Sequence, residues 1–166
     1  MKKVTNNRGF TLLLAALVAS IALSLGASIY NIVQKQLILS SLGRDSQFAF
    51  YAADMATECA LFWDVRTDQS GGHTLWASTT PPASVSCEGQ AASSTFAYSA
   101  PTSTFSFQYQ PSGSSVGNCA NVTVTKVWVA STQSIRTIIH ADGFNTGCAT
   151  IGTSQQVLQR SVELNY

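Results

Sequence analysis

A run of 24 residues without a charged side chain, residues 10–33, constrains this chain more than any other feature. Twelve of these residues are Leu, Ile, Val or Phe. As an α-helix the run would be about 36 Å long, which exceeds the roughly 30 Å hydrocarbon core of a bilayer. The apolar side chains favour membrane insertion by on the order of 5 kcal/mol. The sequence therefore predicts a transmembrane helix over residues 10–33.

The charge distribution predicts the orientation of this helix. Residues 1–9 carry Lys2, Lys3 and Arg8 and no acidic side chain. Because positive flanks stay in the cytoplasm, the rest of the chain is expected to cross the membrane. This predicts a single-pass cytoplasmic membrane protein with an extracytoplasmic C-terminal head. The whole chain is only 10% charged, with a net charge of +1, which excludes a strongly basic nucleic-acid binder.

Three interpretations of the apolar segment compete. A cleaved secretory signal has a shorter apolar region followed by small residues, and Ser24, Gly26 and Ala27 offer one weak cleavage site. The apolar run continues past that site, which disfavours cleavage there. A plain uncleaved signal anchor is the second interpretation. The third rests on the residues at the start of the segment.

The junction Arg8-Gly9-Phe10-Thr11-Leu12 resembles the processing site of type IV prepilins and type II secretion pseudopilins. In that family a prepilin peptidase cuts after the Gly on the cytoplasmic side and methylates the new N-terminal Phe. The resemblance implies a leader of residues 1–9 and a cut between Gly9 and Phe10. The helix would then stay on the mature protein, first in the cytoplasmic membrane and later bundled with other pilin subunits in an extracellular pilus.

The same resemblance implies which residues pack in the filament. Small side chains let neighbouring helices approach closely. The candidate packing residues are Leu14, Ala15, Ala16, Ala19, Ala22 and Gly26. Most major pilins have Glu as the fifth mature residue, where this chain has Leu14. Its absence resembles tip-located K-type pseudopilins and minor pilins with a PilX-like N-terminus, and implies a minor or initiating subunit.

Residues 34–64 are predicted to continue the helix as an amphipathic segment. They contain no Pro and only one Gly, Gly43. Larger side chains recur at spacings that are mostly sums of three and four, which is typical of a helix face packed on a domain core. These residues are Leu37, Phe48, Tyr51, Met55, Cys59 and Phe62.

Residues 65–166 are predicted to form a β-rich head. A loop with Gly71-Gly72 and Pro81-Pro82 follows the helix. Strands are predicted at residues 94–99, 104–110, 121–130, 134–141 and 156–166, separated by turn signals at Pro101, Pro111 and Asp142-Gly143. Four or five antiparallel strands packed on the helix would give an α+β fold, which the resemblance makes pilin-like.

The third of these regions, residues 121–130, has an irregular alternation. Val122 and Val124 are out of phase with Val127 and Val129. Either a bulge occurs near Lys126, or both faces of the strand are partly covered.

The chain has four cysteines, Cys59, Cys87, Cys119 and Cys148, and no Cys-x-x-Cys pair, which disfavours a zinc site. A translocated head would lie in an oxidising compartment, where an even number of cysteines usually pairs. Three connectivities are open. Pairing of Cys59 with Cys87 and of Cys119 with Cys148 is favoured, because each ties a loop to an element nearby in sequence. The second loop resembles the C-terminal disulfide-bounded region of many pilins.

Catalysis and cofactor binding find little support in the sequence. His73 is expected in a Gly-rich loop and His140 at a strand end without a metal-ligating neighbour. Asp64 and Asp68 are expected to be solvated charges. We therefore predict a protein that is not an enzyme and needs no cofactor or metal.

Two other functions stay open. DNA binding is implied by the family alone, and it would need Lys126, Arg136 and Arg160 to converge. The alternative to a filament subunit is a membrane-anchored or secreted extracytoplasmic binding domain that does not assemble.

Overall fold

The computed structural model describes residues 8–65, 85–111, 117–154 and 156–166. One helix, α1, runs over Arg8–Val65, as the apolar run and its continuation predicted. The chain divides into two compact units, the first ending at Gly43 and the second spanning Arg44–Tyr166. The first unit therefore contains the earlier part of α1, and the second contains the later part together with the sheet.

The second unit contains a six-stranded antiparallel sheet in which every strand pairs with its neighbour in sequence. The strands are β1 (Val85–Cys87), β2 (Gln90–Ser99), β3 (Thr102–Tyr109), β4 (Cys119–Val129), β5 (Ser134–Phe144) and β6 (Gln159–Asn165). A helix and an antiparallel sheet confirm the coarse prediction of an α+β layout. The loop predicted after the helix was wrong at its end, because Val85–Cys87 form the short strand β1.

The irregular alternation in β4 does not come from a bulge. Pairing with β5 is continuous and one to one, including Val124 with Ile139 and Lys126 with Thr137. Lys126 lies on the buried face of the sheet, while Val127 is half-buried on the other face. The second alternative, with both faces partly covered, is therefore the correct one.

Small residues on the helix form its contact with the sheet. The helix buries Ala49, Ala52, Ala53, Ala56 and Ala60, and the sheet supplies the bulk of the core. The large buried side chains of the sheet are Phe105, Phe107, Tyr109, Val122, Val124 and Ile139. The prediction that the large side chains of the helix pack on the core holds for Met55 and Cys59, which are partly buried against it. It was wrong for Phe48, Tyr51 and Phe62, which are 46 to 58% exposed.

Gly143 explains why this contact needs small residues. The sequence predicted a turn at Asp142-Gly143, but both residues lie inside β5. A Cβ atom at Gly143 would collide with the backbone oxygen of Ala49 and come within 2.5 Å of the backbone nitrogen of Ala53. The glycine is therefore required by the close approach of strand and helix, rather than by a turn.

Two disulfides tie the second unit together, in the pairing that the sequence favoured. Cys59 in α1 is bonded to Cys87 in β1, and Cys119 in β4 is bonded to Cys148. The closed loops span 28 and 29 residues. On the chain-entropy model each bond stabilises the folded state by about 3 to 4 kcal/mol.

A buried ion pair joins the end of the helix to the sheet. The Nζ atom of Lys126 lies 2.6 Å from Oδ1 of Asp64, and both side chains are almost fully buried. The hydroxyl of Tyr166 donates a hydrogen bond to Oδ2 of Asp64. The prediction that Asp64 is a solvated charge was wrong, because the register of β4 places a cation beneath it. Asp68 lies outside the described residues.

Candidate functional site

The apolar residues of the first unit lack a core of their own. Every large apolar side chain in residues 10–33 is 44 to 75% exposed. Over the part of the chain that the structure describes, α1 is the one helix long and apolar enough to cross a membrane. An uncovered apolar surface of this length is stable in a lipid bilayer or against other apolar helices, and not in water.

The three serine side chains within this segment are satisfied by the helix itself. The hydroxyls of Ser20 and Ser24 donate 2.8 Å hydrogen bonds to the backbone oxygens of Leu17 and Ile21. The hydroxyl of Ser28 donates to the backbone oxygen of Ser24 at 2.9 Å. In a hydrocarbon environment an unpaired hydroxyl is costly. These internal bonds make the segment compatible with lipid despite its serines.

The predicted packing residues are all exposed and therefore available to other helices. This holds for Leu14, Ala15, Ala16, Ala19, Ala22 and Gly26. A Cβ atom added at Gly26 would meet nothing within 4 Å. Neither the fold of this chain nor the backbone of the helix therefore requires a glycine there.

The predicted processing junction lies at the first described turn of the helix. Helix α1 begins at Arg8 and includes Gly9 and Phe10, and the Phe10 side chain is exposed. Two of the predicted leader charges, Lys2 and Lys3, lie outside the described residues.

His140 has acidic neighbours that the sequence did not reveal. It lies inside β5, where its Nε2 atom is 3.2 Å from Asp142 Oδ1 and its Nδ1 atom is 3.4 Å from Glu163 Oε2. The prediction of an isolated side chain at a strand end was wrong, because cross-strand pairing with β6 places Glu163 opposite His140. Among the described residues, no group of three or more His, Cys, Asp or Glu side chains could hold a metal ion. His73 lies outside the described residues.

Hydrogen bonds lower the pKa of both carboxyl groups of this cluster. Burial alone would raise the pKa of Asp142, but hydrogen bonds from Ser161 and Gln159, with the nearby His140, hold it below its usual value. Hydrogen bonds from Asn165 and then His140 lower the pKa of Glu163. The arrangement is a polar network that links β5 to β6.

The three basic residues considered for DNA binding do not form one exposed patch. Lys126 is buried against Asp64. The Nε atom of Arg160 donates a 2.7 Å hydrogen bond to the Ser46 hydroxyl on the helix. Arg136 is exposed on β5. A phosphate-tracking surface needs several converging cations, which this arrangement does not supply.

Sequence reasoning missed an aromatic recess at one end of the sheet. Tyr98, Pro101, Trp128 and Ile135 line a space of about 400 Å³, and Tyr98 and Trp128 are each about half exposed. These residues come from β2, from β4, from β5 and from the turn after β2. The sequence carried no signal for the recess, because the order and register of the strands bring its residues together.

Comparison with known proteins identifies no relative: no family model, curated protein or solved structure matches this chain.

Proposed function

We propose that this chain is a structural, non-enzymatic subunit of a type IV pilus or a related secretion pseudopilus, in a minor or initiating position. One observation carries the proposal. An apolar helix that is exposed over residues 10–43 begins at the Arg8-Gly9-Phe10 junction, and a disulfide-bonded sheet follows in the same chain. The junction supports processing by a prepilin peptidase, and the disulfides support an oxidising compartment for the second unit.

In this proposal the helix has two successive environments. It first anchors the precursor in the cytoplasmic membrane, and after cleavage between Gly9 and Phe10 it exchanges lipid for neighbouring helices. Lipid tails are as apolar as leucine, so close packing must drive the exchange. The exposed small residues, from Ala15 to Gly26, suit that packing.

Leu14 supports a minor rather than a major subunit. In most major pilins a carboxylate at this position needs a cationic partner, because an unpaired charge in an apolar bundle is costly. Leucine carries neither that cost nor the contact that fixes the register between subunits. Such a chain suits a position in the filament where few of the neighbouring subunits are copies of itself.

Cysteine cross-linking in assembling cells tests the bundling. We expect a cysteine at Ala16 or Ser20, in a chain that keeps both native disulfides, to form cross-linked species with other pilin subunits under mild oxidation. Both positions are exposed in this structure, so a single chain does not bury them. Gel electrophoresis followed by mass spectrometry of the cross-linked bands provides the measurement.

Two controls make the cross-linking result specific. The same variants in cells without the prepilin peptidase should give no cross-link, since the precursor would stay in the membrane. A cysteine at Ser134, on the exposed part of β5, should not give the same bands. If neither Ala16→Cys nor Ser20→Cys forms any cross-link in cells that assemble filaments, the proposed bundling is wrong.

The aromatic recess favours a second candidate function, a membrane-anchored or secreted domain that binds a surface ligand without assembling. Its volume of about 400 Å³ falls in the range of small-molecule sites, and half-exposed aromatic side chains are common in such sites. In that case the chain would reach the cell surface with Tyr98 and Trp128 free to bind, and the cysteine variants would stay monomeric.

A further inference from the structure

A second recess lies between the helix and the first hairpin of the sheet. Its space of about 330 Å³ has one wall from α1, formed by Met55, Glu58, Cys59 and Phe62, and another from residues 86–88. Tyr109 on β3 also lines it. The Cys59–Cys87 disulfide joins the two walls covalently. The recess is therefore held open by a bond, which reduces the ordering that a ligand would have to impose.

Two carboxylates lie at this recess without a partner cation among the described residues. Glu58 is exposed on the helix, and Glu88 is exposed in the turn between β1 and β2. The φ angle of Glu88 is +49° and that of Gly89 is +74°, so these two residues form a tight hairpin turn. Within the described parts of the chain, no ion pair includes either residue and no Lys or Arg lines the recess.

A buried hydroxyl provides the independent observation. Tyr109 is only 2% exposed, and its hydroxyl lies near the Glu88 carboxylate but makes no hydrogen bond of normal geometry with the residues that the structure describes. A buried hydroxyl without a partner is costly, so native proteins usually satisfy it. Burial, and then the nearby Glu88 carboxylate, raise the pKa of Tyr109 well above its usual value. The phenol therefore keeps its proton and can still accept a hydrogen bond through its oxygen.

We propose that this recess binds an organic cation, an alkylammonium or alkylguanidinium group of the kind carried by lysine and arginine side chains. Glu58 and Glu88 supply the opposite charge, and the Tyr109 oxygen accepts one N–H of the cation. Charge-assisted hydrogen bonds are about twice as strong as neutral ones. Met55 and Phe62 provide an apolar surface for the alkyl chain.

A methionine label reports on this site directly. The chain has two methionines, and one of them, Met55, lines the recess. We expect butylammonium chloride to shift the ¹³C-methyl NMR signal of Met55 saturably in the full chain in nonionic micelles. Propylguanidinium should do the same, and butanol should not. A Met55→Leu variant identifies the signal, because only the other methionine then remains.

Charge-neutral variants show whether the two carboxylates bind the cation. We expect E58Q/E88Q to weaken butylammonium binding at least about tenfold. The matched control D45N/E163Q removes two carboxylates outside the recess and should leave binding within about twofold. Because Glu58 and Glu88 are exposed, their replacement should not prevent folding. Tyr109→Phe should weaken binding about threefold if the phenol oxygen accepts a hydrogen bond.

The binding measurements include results that would overturn the proposal. An absence of any saturable Met55 shift up to about 100 mM butylammonium overturns it, and so does an equal loss of binding in E58Q/E88Q and D45N/E163Q. Tighter binding of a capped Gly-Ser-Lys-Ser-Gly peptide than of spermidine supports a protein side chain as the natural source of the cation. The reverse order supports a free polyamine. None of these outcomes depends on filament assembly.

Discussion

Replacing Gly143 with valine is expected to lower the free energy of unfolding by about 4 kcal/mol or more. The new Cβ atom alone would collide with the backbone oxygen of Ala49, and it would lie 2.5 Å from the backbone nitrogen and 2.9 Å from the Cβ atom of Ala53. Backbone atoms of a helix cannot turn aside as a flexible side chain can. The helix and the strand would have to separate, and the contacts between the buried alanines of α1 and the sheet would weaken.

Denaturation by guanidinium chloride, followed by tryptophan fluorescence in nonionic micelles with both disulfides intact, measures this loss. Gly152→Val is the matched control, because a Cβ atom at Gly152 would meet nothing within 4 Å. We expect the control to change stability by less than about 1 kcal/mol. Equal destabilisation by the two substitutions would show that the close contact at Gly143 does not limit the packing.

Replacing Lys126 with methionine is expected to cost about 3 to 5 kcal/mol, because it leaves the buried carboxylate of Asp64 without its cation. The side chains of Lys126 and Asp64 are only 7% and 2% exposed, and 2.6 Å separates their charged atoms. The hydrogen bond from Tyr166 would remain, but one neutral donor does not replace an ammonium group. The same denaturation measurement gives the size of the loss.

A double variant and an exposed ion pair serve as controls. D64N/K126M removes both charges and should recover most of the stability lost in K126M, since no unpaired charge remains buried. The exposed pair of Arg44 and Asp45, 3.7 Å apart, should contribute less than about 1 kcal/mol, so Arg44→Met should change little. A loss below 1 kcal/mol in K126M, or no recovery in the double variant, contradicts this interpretation.

Local sequence signals predicted the features that depend on local physics. The apolar run predicted the helix, because hydrophobicity over residues 10–33 does not depend on tertiary contacts. Alternating side chains and turn residues predicted most strands of the sheet. Cysteine spacing favoured the two disulfides that the structure contains.

The features that were missed depend on which elements meet. Asp-Gly is a common turn signal, and only the proximity of Ala49 and Ala53 explains why Gly143 lies within a strand. Alanine is weakly hydrophobic, so the sequence pattern was dominated by the larger Phe48 and Tyr51 and did not indicate that the alanines form the contact face of the helix. In the same way, the charge of Lys126 gave no sign that a buried carboxylate lies opposite it.

The same distinction between local sequence and tertiary contacts applies to the candidate site. The proposed junction at Gly9 and Phe10 and the series of small residues are patterns within one continuous stretch of sequence. The cation recess could not, because Glu58, Glu88 and Tyr109 come from three elements that the disulfide and the strand pairing bring together. Residues that act through tertiary proximity leave no spacing pattern in a single sequence.

Intact mass and N-terminal sequencing of the mature chain, extracted from its native membrane or filament, test most directly whether the helix survives maturation. We expect a chain that begins at N-methylated Phe10, with the nine leader residues absent and the remaining residues present. A chain that begins at Met1 would contradict prepilin processing and leave a plain membrane anchor. A chain that begins at Ala27 would contradict the proposal altogether, because the apolar helix would have been removed before any subunit could bundle.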